Sequence, residues 1–229
     1  MDEQIYYHYL SFEDAMDDLK KKRIRVSTLN GLNDPFEWMP YKGYGFRKRQ
    51  LYNRVFRRML KKWGLLCFSR SWEEQLLWAY YARGHKGMAL GFEIPEDKII
   101  EVDYTSDEKR TKFELTNEID DEKKFLELAK KKYQEWEHEK EYRILVNLEK
   151  GDLDEDEDDG CYYMPLRDRL KIKEIVLGCR AKNTGKEEDI VKFAKKLNAD
   201  IRQVRTEWVG YKMHRCGTGT DYFQNMLKK

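Results

Sequence analysis

Apolar and polar residues alternate with two distinct periods along this chain, and the two periods mark out its elements. Ile5 to Leu10 reads as a short strand carrying the cluster Tyr6-Tyr7-His8-Tyr9, and a period of two, which puts successive side chains on opposite faces of a strand, runs from Arg23 to Ser27. Ser11 is placed to cap a helix from Phe12 to about Lys21, with Glu13 and Asp14 in its first turn. The helical period returns from Phe46 to about Lys62, where Leu51, Tyr52, Val55, Phe56, Met59 and Leu60 form one apolar stripe. Gly64 is expected to end that helix, and Leu65 to Ser69 reads as a buried strand. A second amphipathic helix is predicted from Trp72 to Arg83, with Gly84 near its C-cap. Strands follow at Met88–Phe92 and Ile99–Tyr104, and then a long charged helix from Glu114 to about Trp136.

The run Trp136-Glu-His-Glu139-Lys-Glu141-Tyr-Arg143 leads into the apolar Ile144-Leu-Val146 and reads as a strand. Read so, Glu139, Glu141 and Arg143 share one face, and Tyr142, Ile144 and Val146 share the other. The acidic stretch 151–160 is expected to be a flexible hairpin tip; it lacks the glycine and the glutamate of a calcium-binding loop. Leu170–Leu177 reads as a strand, Lys186–Leu197 as a helix and Ile201–Val204 as a further strand, while the segment from Val209 onward has no clear pattern. These elements describe one α+β domain over residues 1–229, with a mixed, mostly antiparallel sheet flanked by helices.

Composition narrows the classes. Of 229 residues, 38% are charged and 40% hydrophobic, and the net charge is only +2, so no global field draws the chain to nucleic acid. Aromatic residues reach 14%, more than a core needs, which points to an aromatic-lined groove. Cys67, Cys161, Cys179 and Cys216 are widely spaced, which fits reduced thiols better than a disulfide framework or a zinc knuckle. The acidic N-terminus has no apolar core of a signal peptide, and no apolar run approaches the roughly 20 residues of a membrane span. A cytoplasmic protein without membrane contact is therefore expected; oligomeric state is not addressed by these features.

Two carboxylates and a guanidinium on one strand face are costly to bury unless they satisfy each other or serve a ligand. Other polar groups sit where loops meet strands: His8 and Tyr9, the turn Asn33-Asp34-Pro35-Phe36-Glu37, Ser69 and Arg70, and Trp78 with Tyr81 on one helical face leading to His85 and Lys86. A metal site from His8, His85, Asp34 and Glu139 lacks ligand spacing, and no metal is assigned. An oxygen-ligand set of Asp34, Glu37, Glu139 and Glu141 would suit a metal-dependent nuclease. The helix 46–62 offers a different chemistry. Arg47, Lys48, Arg49, Arg54, Arg57, Arg58, Lys61 and Lys62 occupy its polar side with no acid among them, as a non-enzymatic nucleic-acid or nucleotide binder would require.

Taken in order, Tyr7-His8-Tyr9, Leu32-Asn33-Asp34-Pro35-Phe36-Glu37, Cys67-Phe68-Ser69, Leu77-Trp78-x-x-Tyr81-Ala82-x-x-His85-x-Gly87 and Trp136-x-x-Glu139-x-Glu141-x-Arg143 resemble an uncharacterised bacterial family, one of the domains of unknown function. The resemblance covers roughly residues 6 to 180, and the family's members recur near phage-defence and abortive-infection genes. More loosely, the order of elements is similar to the ADP-ribosyltransferase fold. That resemblance implies a toxin-type enzyme that transfers ADP-ribose from NAD to a protein or nucleic-acid acceptor, or hydrolyses NAD. His8 would hold the nicotinamide ribose. Ser69, helped by Tyr81 or Trp78, would support the nicotinamide, and Glu139 or Glu141 would orient ribose and acceptor. Arg70, His85 or Arg143 would hold the pyrophosphate. The NAD-binding set so implied is Tyr9, Asn33, Asp34, Ser69, Arg70, Trp78, Tyr81, His85 and Arg143.

Overall fold

A computed structural model describes residues 4–38, 46–106, 123–124, 126–149, 153–156, 160–166, 170–181, 185–207 and 210–216. The elements run β1 (Gln4–Leu10), α1 (Phe12–Lys21), β2 (Arg23–Thr28), α2 (Phe46–Lys62), β3 (Trp63–Ser69), α3 (Gln75–Tyr80), β4 (Met88–Ile94), β5 (Ile100–Glu101) and β6 (Asp103–Thr105). They continue with β7 (Lys131–Tyr133), β8 (Glu141–Asn147), β9 (Asp154–Asp156), β10 (Cys161–Pro165), β11 (Lys171–Leu177), α4 (Glu187–Leu197), β12 (Asp200–Thr206) and β13 (Met213–Arg215). The chain is thus α+β, with mostly antiparallel pairing, and it divides into two compact units built from separated stretches.

The first unit comprises Met1–Ile24, Phe68–Ile99 and Pro165–Lys229. Its strands lie in the order β13-β12-β11-β4-β1, and Tyr7 of β1 pairs with Ser69 at the end of β3. Every pairing is antiparallel except β11 with β12, and α4 provides the crossover that a parallel pair requires. α4 buries Ile190, Val191 and Ala194. α1 is capped as its sequence predicts: the Ser11 hydroxyl accepts from the Asp14 N–H at 3.0 Å and donates to the Asp14 carboxylate at 2.6 Å. The core here joins Tyr9, Leu77, Trp78, Ala82, Ala89, Val176 and Val204.

The predicted helix 72–83 is shorter than its apolar period suggests, spanning only Gln75–Tyr80. Its entrance is held in a turn instead, because the Ser71 and Trp72 carbonyls accept from the Tyr9 hydroxyl (2.9 Å) and the Trp78 indole (2.7 Å). Its exit passes through three successive left-handed residues, Arg83, Gly84 and His85. The chain then runs so close to β1 that a Cβ on Gly87 would lie 2.0 Å from the Leu10 carbonyl oxygen. Gly87→Ala is therefore expected to cost about 1–3 kcal/mol through backbone displacement. A urea midpoint equal to that of the parent chain would contradict this contact.

The second unit comprises Arg25–Cys67 and Ile100–Met164. β3 pairs with β2 (Ser27 opposite Leu65) and with β8, β8 pairs with β5, and β6 and β7 form a separate parallel pair. α2 buries Val55 and Met59 against Leu29, Trp38, Leu65, Leu128 and Ala129. Gly64 does not end α2 but lies within β3, opposite Thr28, where a Cβ would meet Val26 Cγ1 at 2.5 Å. Helix therefore passes to strand with no glycine-led loop.

Three other expectations change in this unit. The strand expected at Ile99–Tyr104 breaks at Val102 into β5 and β6. The C-terminal part of the expected helix 114–136 is instead β7 followed by a 3-10 turn, Gln134–Glu139, while residues 114–122 lie outside the described residues. Within the acidic stretch 151–160, Asp154–Asp156 is not a flexible tip but a strand, paired antiparallel with Cys161–Tyr163; residues 151–152 and 157–159 lie outside the described residues.

Candidate functional site

The second unit gathers five ionisable side chains in its interior: Glu37, Lys132, Glu139, Glu141 and Arg143, each at most 8% exposed. Four local structures bring them together. In the Asn-Asp-Pro-Phe-Glu turn, the Asp34 carboxylate accepts from the Phe36 N–H at 2.8 Å, and the Asp34 carbonyl accepts from the Glu37 N–H at 3.1 Å. This Asx turn leaves Phe36 exposed and sends Glu37 inward. β7 has period two, so Lys131 and Tyr133 are half-buried while Lys132 faces in. The 3-10 turn 134–139 places Glu139, and Lys140, in the left-handed region at φ 45°, reverses the chain into β8. β8 then supplies Glu141 and Arg143 from one face.

Glu139, Glu141 and Arg143 converge as their spacing suggests, although Glu139 arrives from a turn rather than from the strand. Glu141 and Arg143 are buried on one face of β8. On the other face of β8, Val146 is buried, whereas Tyr142 and Ile144 are half-buried.

The contacts are dense. Arg143 donates through Nε to Glu141 Oε1 at 2.7 Å and through Nη2 to Glu141 Oε2 at 2.9 Å, a bidentate pair. Its Nη2 also reaches Glu37 Oε1 at 2.8 Å, and its Nη1 reaches the Ala129 carbonyl at 2.8 Å. Lys132 Nζ lies 2.5 Å from Glu139, 2.9 Å from Glu141 and 3.2 Å from Glu37, and 5.1 Å from the centre of the Trp136 ring. The Glu141 N–H donates to the Tyr104 hydroxyl at 2.8 Å.

Electrostatics separates the two carboxyl groups that share Arg143. Burial opposes ionisation of both. For Glu37 burial wins and its pKa rises. For Glu141, Arg143 and Lys132 outweigh burial and hold the carboxyl down at about 2. Burial likewise opposes the charge on Lys132, but Glu141, Glu37 and Glu139 keep it firmly protonated. Such a split between neighbouring carboxyl groups occurs both in catalytic acid–base pairs and in structural ion-pair networks.

Cys67 lies against this cluster. Burial and then the charge of Glu141 push its thiol well above the usual range. A thiol so held reacts slowly. We expect Cys67 to be alkylated at least about tenfold more slowly than Cys161 in the native protein, read by peptide mass spectrometry. Equal rates would contradict the assignment.

The remaining sequence-derived residues are less closely assembled. In the second unit, Asp34 is buried in its turn and Asn33 is exposed. In the first unit, Tyr9 meets Trp78 edge-on at 5.1 Å, and His8 lies 5.8 Å from the Phe68 ring. Ser69 is buried opposite Tyr7, Arg70 stacks 5.2 Å over Tyr6, and Tyr81 packs on Tyr80 at 6.3 Å. His85 is half-buried, and burial and then Arg180 lower its pKa. Trp78, completely buried and hydrogen-bonded to Trp72, is a core residue.

Two features escaped the sequence reading. Lys132 lies in the stretch predicted as a long charged helix. In the first unit, the Tyr7 hydroxyl donates to Glu174 at 2.7 Å while Arg202 reaches the other carboxylate oxygen at 2.5 Å, a contact spanning positions 7 to 202 that no local pattern signals.

No group of three or more His, Cys, Asp or Glu side chains is placed to hold a metal ion among the described residues. In the second unit the carboxylates of Glu37, Glu139 and Glu141 converge on the Lys132 ammonium instead. None of the described helices is long and apolar enough to cross a membrane. The chain matches no protein-family model, no curated protein and no solved structure.

Proposed function

We propose that this protein is a NAD-consuming enzyme of the bacterial cytoplasm that acts in phage defence, transferring ADP-ribose to a protein or nucleic-acid acceptor or hydrolysing NAD, with Glu141 as its central carboxylate. One observation carries the reading: a carboxylate held ionised at about 2 beside a second, buried carboxyl, Glu37, whose pKa is raised. Burying five charges does little for stability compared with apolar packing, so their retention is better explained by chemistry.

The reaction asks for such an environment. The bond between nicotinamide and ribose breaks with its electron pair leaving on nicotinamide, and the ribose carbon becomes oxocarbenium-like. A fixed negative charge stabilises that developing cation. Water or an acceptor nucleophile then bonds to the ribose carbon and loses its proton.

The experiment is incubation of the purified protein with NAD, alone and with RNA, DNA or cell lysate, following free nicotinamide and ADP-ribose. Release in any condition, reduced by Glu141→Gln, supports the reading; no release in all of them contradicts it.

A further inference from the structure

We propose that the outer face of α2 is a nucleic-acid docking surface that grips backbone phosphates, independently of whether the protein consumes NAD. Arg54, Arg57, Arg58 and Lys61 are all exposed. They stand at positions i, i+3, i+4 and i+7 and so form one stripe, opposite the buried Val55 and Met59. The stripe extends about 10 Å along the helix axis. That length matches about three phosphates of one strand, which advance about 3.4 Å each along a duplex.

The rest of the molecule shows that this stripe is not the ordinary treatment of a helix surface. α1 and α4 both open with acids and close with lysines, and both pair their charges internally: Lys21 with Asp17 at 3.1 Å and Lys192 with Asp189 at 3.8 Å. α2 has eight basic residues, no acid, and none in its first turn, where the helix dipole favours one. Every neighbouring pair in the stripe is a like-charge pair, which weakens an isolated helix. The chain as a whole is nearly neutral, with 45 basic and 43 acidic residues, so the segregation is local. Arg54, Arg57 and Lys61 make no ion pair among the described residues. A polyanion with regularly spaced charges would relieve the repulsion along the whole stripe at once. Charge is what the stripe offers, so the contact proposed is with the backbone and is indifferent to sequence.

The test is fluorescence anisotropy of labelled single-stranded RNA, single-stranded DNA and duplex DNA with the full chain, across about 50 to 200 mM salt. Three phosphate contacts predict that affinity for duplex DNA falls about fortyfold over that range. The triple variant Arg54→Gln/Arg57→Gln/Lys61→Gln should bind at least about tenfold more weakly and lose most of the salt dependence. Lys192→Gln/Lys195→Gln/Lys196→Gln on α4 removes the same net charge and should bind as the parent does. The stripe variant should melt at or above the parent temperature, because repulsion has been removed. Absent or salt-insensitive binding, equal loss in both variants, a lower melting temperature of the stripe variant, or tighter binding of labelled polyglutamate than of the oligonucleotides would each overturn the proposal.

Discussion

Replacing Arg143 with methionine lowers the free energy of unfolding by about 3–5 kcal/mol, the usual cost of stripping one partner from a buried ion pair. Arg143 is fully buried and bonds to Glu141 twice, to Glu37 and to the Ala129 carbonyl. Without it three buried carboxylates face one ammonium, Lys132. Relief then comes only by protonation, so the variant should recover stability as the solution is made mildly acidic. The parent behaves differently. Glu141 has a depressed pKa, about 2 in the fold against an ordinary 4.5, so its contribution is present above pH 4.5 and is lost as pH falls toward 2. That difference corresponds to about 3 kcal/mol. Glu37 has a raised pKa, so its contribution has the opposite sign: full below its unfolded value and lost as pH rises through its folded value. Urea unfolding of both proteins across the acid range measures this. A parent-like midpoint for Arg143→Met at neutral pH would mean that the guanidinium is not the brace the contacts describe.

Glu141→Gln has the second large effect, on turnover rather than on folding. Removing one carboxylate leaves Glu37 and Glu139 to balance Lys132 and Arg143, so the cluster reaches neutrality without any protonation. The glutamine oxygen can still accept from Arg143, and the variant should fold with a modest loss of stability. NAD turnover should fall by about 10²–10³, the scale seen when a single electrostatic stabiliser of a transition state is removed. The ordering is the informative part: Arg143→Met loses the fold, whereas Glu141→Gln keeps the fold and loses the chemistry. Equal folding losses in both would mark the cluster as structural throughout.

What the sequence discloses here depends on how local the physics is. The strand-forming runs of β1 and β11, the Ser11 cap of α1 and the stripe of α2 depend on near neighbours, and each matches the observed element closely. The meeting of Glu139, Glu141 and Arg143 was legible because they lie within five positions, though the left-handed turn at Lys140 that delivers Glu139 carries no glycine or asparagine to announce it. Lys132 was not legible. In a charged run its neighbours suggest a solvated helix, and only the three-residue pairing of β7 with β6 turns it inward. Glu37 looked like turn chemistry followed by an acid; its partner Arg143 is 106 positions away, and only the tertiary fold brings the two together. The late start of α3 has the same origin, since the Ser71 and Trp72 carbonyls before it are claimed by Tyr9 and Trp78.

The most direct measurement is nicotinamide release from NAD by the parent chain and by Glu141→Gln side by side, with urea unfolding of the same samples. We predict release by the parent, loss of about 10²–10³ in the variant, and cooperative unfolding of both. Undiminished release by a folded Glu141→Gln protein would contradict the role of Glu141, and no release by the folded parent under any acceptor condition would contradict the enzyme itself.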